Sequence, residues 1–443
     1  MLKKTLSPTL IILYSLITRL FFALYTEWGD DSIRLYQQAL KLYEHHQISP
    51  VGAQVVYSGT ALPGALTQLL IGVPLFFSHG SPAGPAYWIG ALNFISSLLT
   101  YRFYRILFPK INSSLMAAFI LFAPWSLLFT PIWNPSFLPL IGIFFLMSIY
   151  CLIQGKKIFT SSALACFCII ACLQLHLSFI LLILIAIISL ITGALGTLTQ
   201  GQIKKGVAGG FLGAAIASIT LIPYLLWITS DQSSSSTGAD FLIKNIEFSF
   251  SKILNYPTYF FRFLSFPSFE VNRFVARGSG MNGFQLFMKN NLSLGILQMG
   301  LEAISVFMIG FSLRFYIHPK AIQLLKKIKE TGNLKTCSPE EHIFFLHWAT
   351  PLLSGLLFVF SIKNPSAQTY WVLMPMSFYP LIYLWNERQK KQSELLLALG
   401  MILLSLLSIQ IYLASDPFTI KKAQTQVQKT TLYQSNPTLI GSS

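Results

Sequence analysis

Apolar runs, each near the roughly 20 residues that a bilayer-spanning helix needs, set the rhythm of this chain. Eleven fall at about 6–25, 86–107, 112–130, 135–153, 158–174, 177–196, 206–229, 292–316, 343–361, 370–386 and 394–414. Short polar turns separate most of them. Two longer polar stretches break the rhythm, at 26–85 and 230–290. Inside the first lies a shorter apolar piece, TALPGALTQLLIGVPLFF. Its length, with Pro63 and Pro74, predicts a juxtamembrane or half-inserted helix rather than a span. Just before it, DDSIRLYQQALKLYEHH changes character: Ile33, Tyr36, Leu40 and Tyr43 recur at helical spacing, with Arg34, Gln38 and Lys41 elsewhere around the helix. That pattern predicts an amphipathic helix lying flat on the membrane. The residues after 414 are polar and predict a loose tail.

Composition turns these runs into a fold class. Of 443 residues, 53% are hydrophobic and 10% charged, against about 25% charged in soluble domains. The expected architecture is an all-α polytopic membrane protein of about eleven transmembrane helices. Residues 1–414 form one transmembrane domain and 415–443 a polar tail. With no soluble catalytic domain, any chemistry has to be assembled from loops and helix ends.

The formal charge of +16 is placed by topology and is no nucleic-acid footprint. YRFYRILFPK, QGKK, QGQIKK, HPKAIQLLKKIKETGNLK and NERQKK are all basic. TPIWNP and LQLH carry no Lys or Arg, and KNPSAQ carries one. Alternation of this kind puts the basic segments and the amino terminus in the cytoplasm. MLKK and the run after it resemble a signal sequence, but the run is long enough to span and no small-residue cleavage site follows, which predicts an uncleaved first helix. The 26–85 loop, the 230–290 loop and the tail then face outward, as in a bacterial inner-membrane protein working on its outer side.

The cysteines read as packing residues. Cys151, Cys166, Cys168 and Cys172 lie in or beside apolar runs, and CFCIIAC puts Cys168 and Cys172 on one helix face with Cys166 elsewhere. No metal-ligand spacing is present. Glu44–His46 forms the one cluster, and its adjacent histidines diverge on a helix.

The feature with chemical content is the adjacent pair Asp30 and Asp31 at the start of the amphipathic helix. One reading is structural: a carboxylate caps the helix amino terminus. One carboxylate suffices for that, and a second adds repulsion. The other reading is a general base beside an apolar phase, activating a hydroxyl acceptor against a lipid-linked donor.

This arrangement resembles the GT-C superfamily of integral-membrane glycosyltransferases, in the branch of protein O-mannosyltransferases and lipid A aminoarabinose transferases (glycosyltransferase family 39-like). Members carry an acidic pair at the start of a juxtamembrane helix in the first outer loop, followed by a Tyr and an Ala, here similar to Tyr36 and Ala39. GTALPGALTQLLIGVPLFF is similar to a later juxtamembrane segment, with only Pro63 of its usual two adjacent prolines. YWIGALNFISSLLTYRFYRILFPK, PWSLLFTPIWNPSFLPL, LQLHLSFILLIL and TYWVLMPMSFYPLIYL resemble further segments in the same order. The resemblance covers about 6–384 and is weak over 230–342.

What it implies is a GT-C fold with juxtamembrane helices in the first outer loop. The implied reaction is inverting transfer of a sugar from a polyprenyl-phosphate donor to an acceptor on the outer side, with Asp30 or Asp31 as base. The acceptor would be an envelope glycan, a lipid or a protein. No cofactor beyond the lipid-linked donor is implied, and many members need no catalytic metal.

The leaving phosphate needs cationic or hydrogen-bonding partners. Arg19 lies near the outer end of the first run, where it either snorkels or pairs with an outer anion or the acid pair. His176, with Gln174 and Ser178 in a tight outer turn, either completes that turn or lines the donor cavity. Trp133 reads as an interfacial anchor, and Asn134 as a helix cap. Lys363 runs against positive-inside and fits a phosphate partner, with Tyr370 opening the next run. Arg262, Arg273 and Arg277 surround a Gly-rich stretch (Gly278, Gly280, Gly283) suited to a mobile lid, and Glu270 and Asp240 are the remaining outer acids. Two other readings compete. A transporter or flippase of lipid-linked sugars is kept open by Glu302, near mid-run, although no internal repeat supports it. An O-antigen ligase-like enzyme would centre its chemistry on the larger loop.

Overall fold

The computed structural model describes residues 7–55, 60–128, 131–191, 198–230, 248, 250–254, 263, 266–267, 292–331, 337–357, 359, 367–387, 394–414 and 419–429. A helix occupies each of the eleven apolar runs. In order they begin with α1 (Pro8–Phe22), whose last turn tightens into a 3₁₀ segment, Ala23–Tyr25. The first loop holds α2 (Asp30–His45), strands β1 (Val51–Val55) and β2 (Thr60–Pro63), and α3 (Leu66–Phe77). Then come α4 (Ala83–Leu107), α5 (Ser113–Leu121), α6 (Pro124–Leu128), α7 (Leu138–Ile153), α8 (Ile158–Leu175), α9 (Phe179–Ile191), α10 (Gln200–Ser218) and α11 (Ile222–Ile228). The last third supplies α12 (Leu292–Ser312), α13 (His318–Thr331), α14 (Pro339–Leu357), α15 (Met374–Ser377), α16 (Tyr379–Glu387), α17 (Glu394–Ala414) and α18 (Ile420–Lys429). Among the described residues, four helical segments are long and apolar enough to cross a membrane: Pro8–Tyr25, Asn134–Ile153, Ile158–Leu175 and Gln200–Ile228.

Position in the bundle follows from which faces are apolar. In α5 every residue from Ser114 to Leu121 is buried, as expected of a helix enclosed on all sides. Asn112 caps it, accepting from Ser114 N (2.8 Å) and Leu115 N (3.1 Å). By contrast α10 exposes Phe211, Leu212 and Ile216 and buries Gly209 and Gly213. Those glycines lie against the backbone of α8: a Cβ on Gly209 would overlap the Phe159 carbonyl, and one on Gly213 the Ala163 carbonyl. Small residues let two helices approach this closely without help from hydrophobic burial. Gly142 of α7 meets the Val372 carbonyl in the same way. Ala at Gly142 or Gly213 is expected to push the facing segments apart and cost about 1–3 kcal/mol. Both should show as a lower unfolding midpoint of the purified protein, whereas Gly201→Ala, with open space around it, should not.

Three expectations need correction, and the basic segment after 317 gains a structure. The first loop is not all helical, because β1 and β2 pair antiparallel with Val51 opposite Pro63 and Val55 opposite Thr60. Val51, Val55 and Thr60 suit a half-buried ribbon; Gly64 N donating to Pro50 O (3.1 Å) closes its open end, and Gln38 Nε2 donating to Val51 O (2.6 Å) pins it from outside. The apolar face of α2 packs on α3: Leu42 sits against Gly72, and Tyr43 meets Phe76 edge-on at 5.3 Å. The basic segment after 317 forms the amphipathic helix α13, joined to α12 by a π turn, Leu313–Ile317. Part of the tail is the ordered helix α18. Its Ile420 and Ala423 are buried, and this spacing gives the segment one apolar edge.

At the end of α2, His46 adopts a left-handed conformation (φ 52°), with its N–H bonded to Leu42 O and Gln47 N to Lys41 O. This is a Schellman closure, normally made by glycine. His46→Gly is expected to raise stability by about 0.5–1 kcal/mol, read as a higher unfolding midpoint.

Candidate functional site

The site begins where α1 gives way to the first loop. Residues 26–28 run extended and form a β-bridge, Glu27 opposite Thr419, with the segment leading into α18. Ile420 N donates to Thr26 O (3.2 Å), Gln424 Nε2 to Ser81 Oγ (3.1 Å), and Lys421 Nζ to the Tyr25 hydroxyl (2.5 Å) while lying 4.7 Å from that ring's centre. The carboxyl-terminal helix therefore clamps the approach to the acid pair. Lys421 was not singled out in the sequence. The signal was present in IKKAQTQVQK, whose small and apolar residues recur at helical spacing.

Gly29 is the N-cap of α2, and no side chain caps the helix. The capping role expected of an aspartate is therefore not taken. Asp30 and Asp31 instead stand in the first helical turn, where the helix dipole favours negative charge. They differ in their surroundings. Asp31 is ion-paired to Arg34 one turn on, both side chains being partly exposed. Asp30 is exposed and has no hydrogen bond or ion pair among the described residues. Behind them Trp28 packs edge-on against Tyr36 at 5.4 Å, and the Tyr36 hydroxyl donates to Gly80 O. The buried Trp28 Nε1 and Thr26 Oγ1 have no hydrogen-bond partner among the described residues. Tyr36 thus braces the floor beneath the acid pair, and Ala39 is fully buried below it.

A second polar knot lies at the turn between α8 and α9, on the same end of the bundle. His176 Nδ1 is 2.6 Å from Ser178 Oγ and accepts from Ser178 N at 3.1 Å, and Ser178 Oγ donates to Thr369 O at 2.7 Å. Burial pushes the imidazole below its ordinary value, so His176 is neutral near pH 7 and completes its own turn. Gln174 joins α8 to α10 through Ala217 O (3.0 Å) and Thr220 Oγ1 (2.8 Å), and its side chain lies beside Gly64 after the hairpin. Asn134 does not cap its own helix. Its side chain donates to Leu175 O, closing the end of α8. Trp133 meets Trp371 edge-on at 6.2 Å, and Tyr370 is buried with its ring 6.2 Å from Phe263.

Arg19 is neither at the surface nor beside the acid pair. It is 1% exposed, and all five of its N–H groups have acceptors. Nε reaches Asn93 Oδ1 (3.5 Å). One terminal nitrogen reaches Leu121 O (2.7 Å) and Ser15 Oγ, and the other Ser97 Oγ (2.9 Å) and Ser126 Oγ (2.8 Å). Snorkelling is ruled out by this burial, and the five donors leave none for an outer anion. Lys363, Arg262 and Arg273, with Arg277, Gly278, Gly280, Gly283, Glu270 and Asp240, lie outside the described residues. Glu302 lies on α12. Among the described residues no group of three or more His, Cys, Asp or Glu side chains is placed to hold a metal ion. Glu44 and His45 are 3.9 Å apart and exposed, while His46 stacks on Phe76.

No protein-family model matches this chain, and no curated protein gives a match to it.

Proposed function

We propose that the chain is an inverting, GT-C-type glycosyltransferase that moves a sugar from a polyprenyl-phosphate donor to an acceptor hydroxyl or phosphate. Its eleven helices span the bacterial inner membrane with the amino terminus in the cytoplasm. Its site then lies on the outer face, between the first loop and α18. The reading is carried by the unequal pair at the head of α2: Arg34 engages Asp31, while Asp30 stands open to an incoming acceptor. In this scheme Asp30 is the general base, taking the acceptor proton as the oxygen attacks the anomeric carbon and the polyprenyl phosphate leaves. Asp31 and Arg34 hold the first turn in place. No step requires a metal, and the family's donor supplies the only further group. The test is transfer from a polyprenyl-phosphate sugar by the purified full-length protein in membranes or detergent. Transfer is expected with the native chain. Its loss in Asp30→Asn, at unchanged protein level, supports the assignment, and full activity in Asp30→Asn overturns it.

A further inference from the structure

At the other end of the bundle lies a cavity of about 530 Å³, within the range of small-molecule sites. It is walled by the end of α4, by α13, by the start of α14 and by α16. Helix α4 runs 25 residues, about 37 Å, from the end of the first loop to this cavity, so the cavity lies at the opposite end of that helix from the loop that carries the acid pair. The cavity therefore takes no part in the outer chemistry.

Its floor is apolar and aromatic, with Phe108, Phe344 and Tyr383 facing it. Five charged side chains line it, and their pairing decides what fits. Lys327 Nζ reaches both oxygens of Glu341 (3.0 and 2.9 Å), and Glu341 also accepts from Ser338 N (2.8 Å). That pair is satisfied internally. Three charges remain: Lys320, Glu340 and Glu387. Lys320 Nζ stands over the rings of Phe344 (5.2 Å) and Tyr383 (4.8 Å), and Glu387 lines the cavity beside them. A purely anionic ligand would meet two carboxylates for one ammonium. A purely cationic ligand would find the aromatic faces already occupied by Lys320. The complement of one cation and two carboxylates is a zwitterion with an anionic group and a primary ammonium that donates hydrogen bonds.

The helix beside the cavity indicates where such a ligand comes from. The π turn and α13 expose Phe315 (59%), Ile322 (41%) and Leu325 (41%) among Lys320, Lys326 and Lys329. Apolar residues interleaved with long cationic side chains mark a helix lying in the membrane interface. The cavity accordingly opens at headgroup level. We infer that it binds the headgroup of a membrane phospholipid carrying a primary amine and a phosphate, with the phosphate at Lys320 and the ammonium between Glu340 and Glu387. Under the proposed topology this is the cytoplasmic leaflet.

The test uses delipidated full-length protein in detergent, with bound lipid counted by native mass spectrometry and unfolding midpoints read alongside. Phosphatidylethanolamine should bind and raise the midpoint. Phosphatidylglycerol lacks the ammonium, and phosphatidylcholine has a quaternary nitrogen with no donor, so neither should match it. Lys320→Ala and Glu387→Gln change exposed side chains and should weaken phosphatidylethanolamine binding at least ten-fold, with lipid-free midpoints unchanged. Lys326→Ala should bind as the native protein does. Equal binding of phosphatidylglycerol or phosphatidylcholine overturns the proposal, as does retained binding in both variants. Soluble glycerophosphoethanolamine should bind much more weakly, and a response equal to the lipid's would overturn the lipid assignment. The readout is binding, so it stands or falls independently of sugar transfer.

Discussion

Asp30→Asn should reduce sugar transfer by about 10²–10⁴-fold, the range a positioned general base contributes, while leaving the amount of folded protein unchanged. The expectation of stability follows from the site: Asp30 is exposed, caps nothing and pairs with nothing among the described residues. Its carboxylate adds only a surface dipole interaction of about 0.3–1 kcal/mol. Asp31→Asn should behave differently. Asp31 acts through Arg34, and exposed pairs of this kind are worth about 0.2–1 kcal/mol, so its removal should cost activity only modestly. Arg34→Ala should reproduce the Asp31→Asn phenotype, since each removes the same contact. Measured kcat and KM for the three variants decide the matter. If Asp31→Asn proves the severe variant and Asp30→Asn the mild one, the roles are reversed. If both are silent, the base lies elsewhere.

Arg19→Ala should lower stability by about 3–5 kcal/mol, the scale for leaving a cavity lined by unsatisfied buried acceptors. The network explains the size. Ser15 Oγ donates to Leu121 O (3.1 Å), Ser97 Oγ to Asn93 O (3.0 Å) and Ser126 Oγ to Ala123 O (2.9 Å). Each hydroxyl proton is already committed to a backbone carbonyl, so the hydroxyl lone pairs and Asn93 Oδ1 point at the guanidinium. Removing it strands buried acceptors that cannot re-pair among themselves. Arg19→Lys should recover only part of the loss, because an ammonium offers three donors where the fork offers five. Thermal unfolding in detergent measures both. Donor affinity of the folded fraction should be unaffected. A variant that melts normally but loses donor binding would show that Arg19 serves the phosphate after all.

These two residues also mark what the sequence makes legible. Helix positions could be read because apolar runs and helices obey the same length rule, and the structure adds mainly interruptions. The run at 112–130 breaks at Pro124 into α5 and α6. The run at 206–229 extends back to Gln200, because Thr199 and Gln202 form a capping box. The acid pair stood out through its rarity in a chain with 15 acidic residues. Arg19 could not be assigned in the same way. Its four long-range partners lie 74 to 107 residues away, and Ser97 or Asn93 in an apolar helix gives no local sign of what it faces. The hairpin escaped for a related reason, since its anchors Gln38 and Gln174 belong to other elements. The cavity escaped as well, because α13, α14 and α16 close it only against the end of α4, which comes much earlier in the chain.

The clamp between α18 and the first loop also sets an order of events during synthesis. Tyr25 and Lys421 are 396 residues apart, so at about 5–20 residues per second the ribosome needs on the order of 20–80 s between them. Throughout that interval the segment leading to the acid pair lacks its β-bridge and its covering helix. The first loop reaches its final form only after the last described helix has emerged, so a chain stopped short of Thr419 would leave the site unassembled. Under the proposed function, sugar transfer would then wait on synthesis of α18.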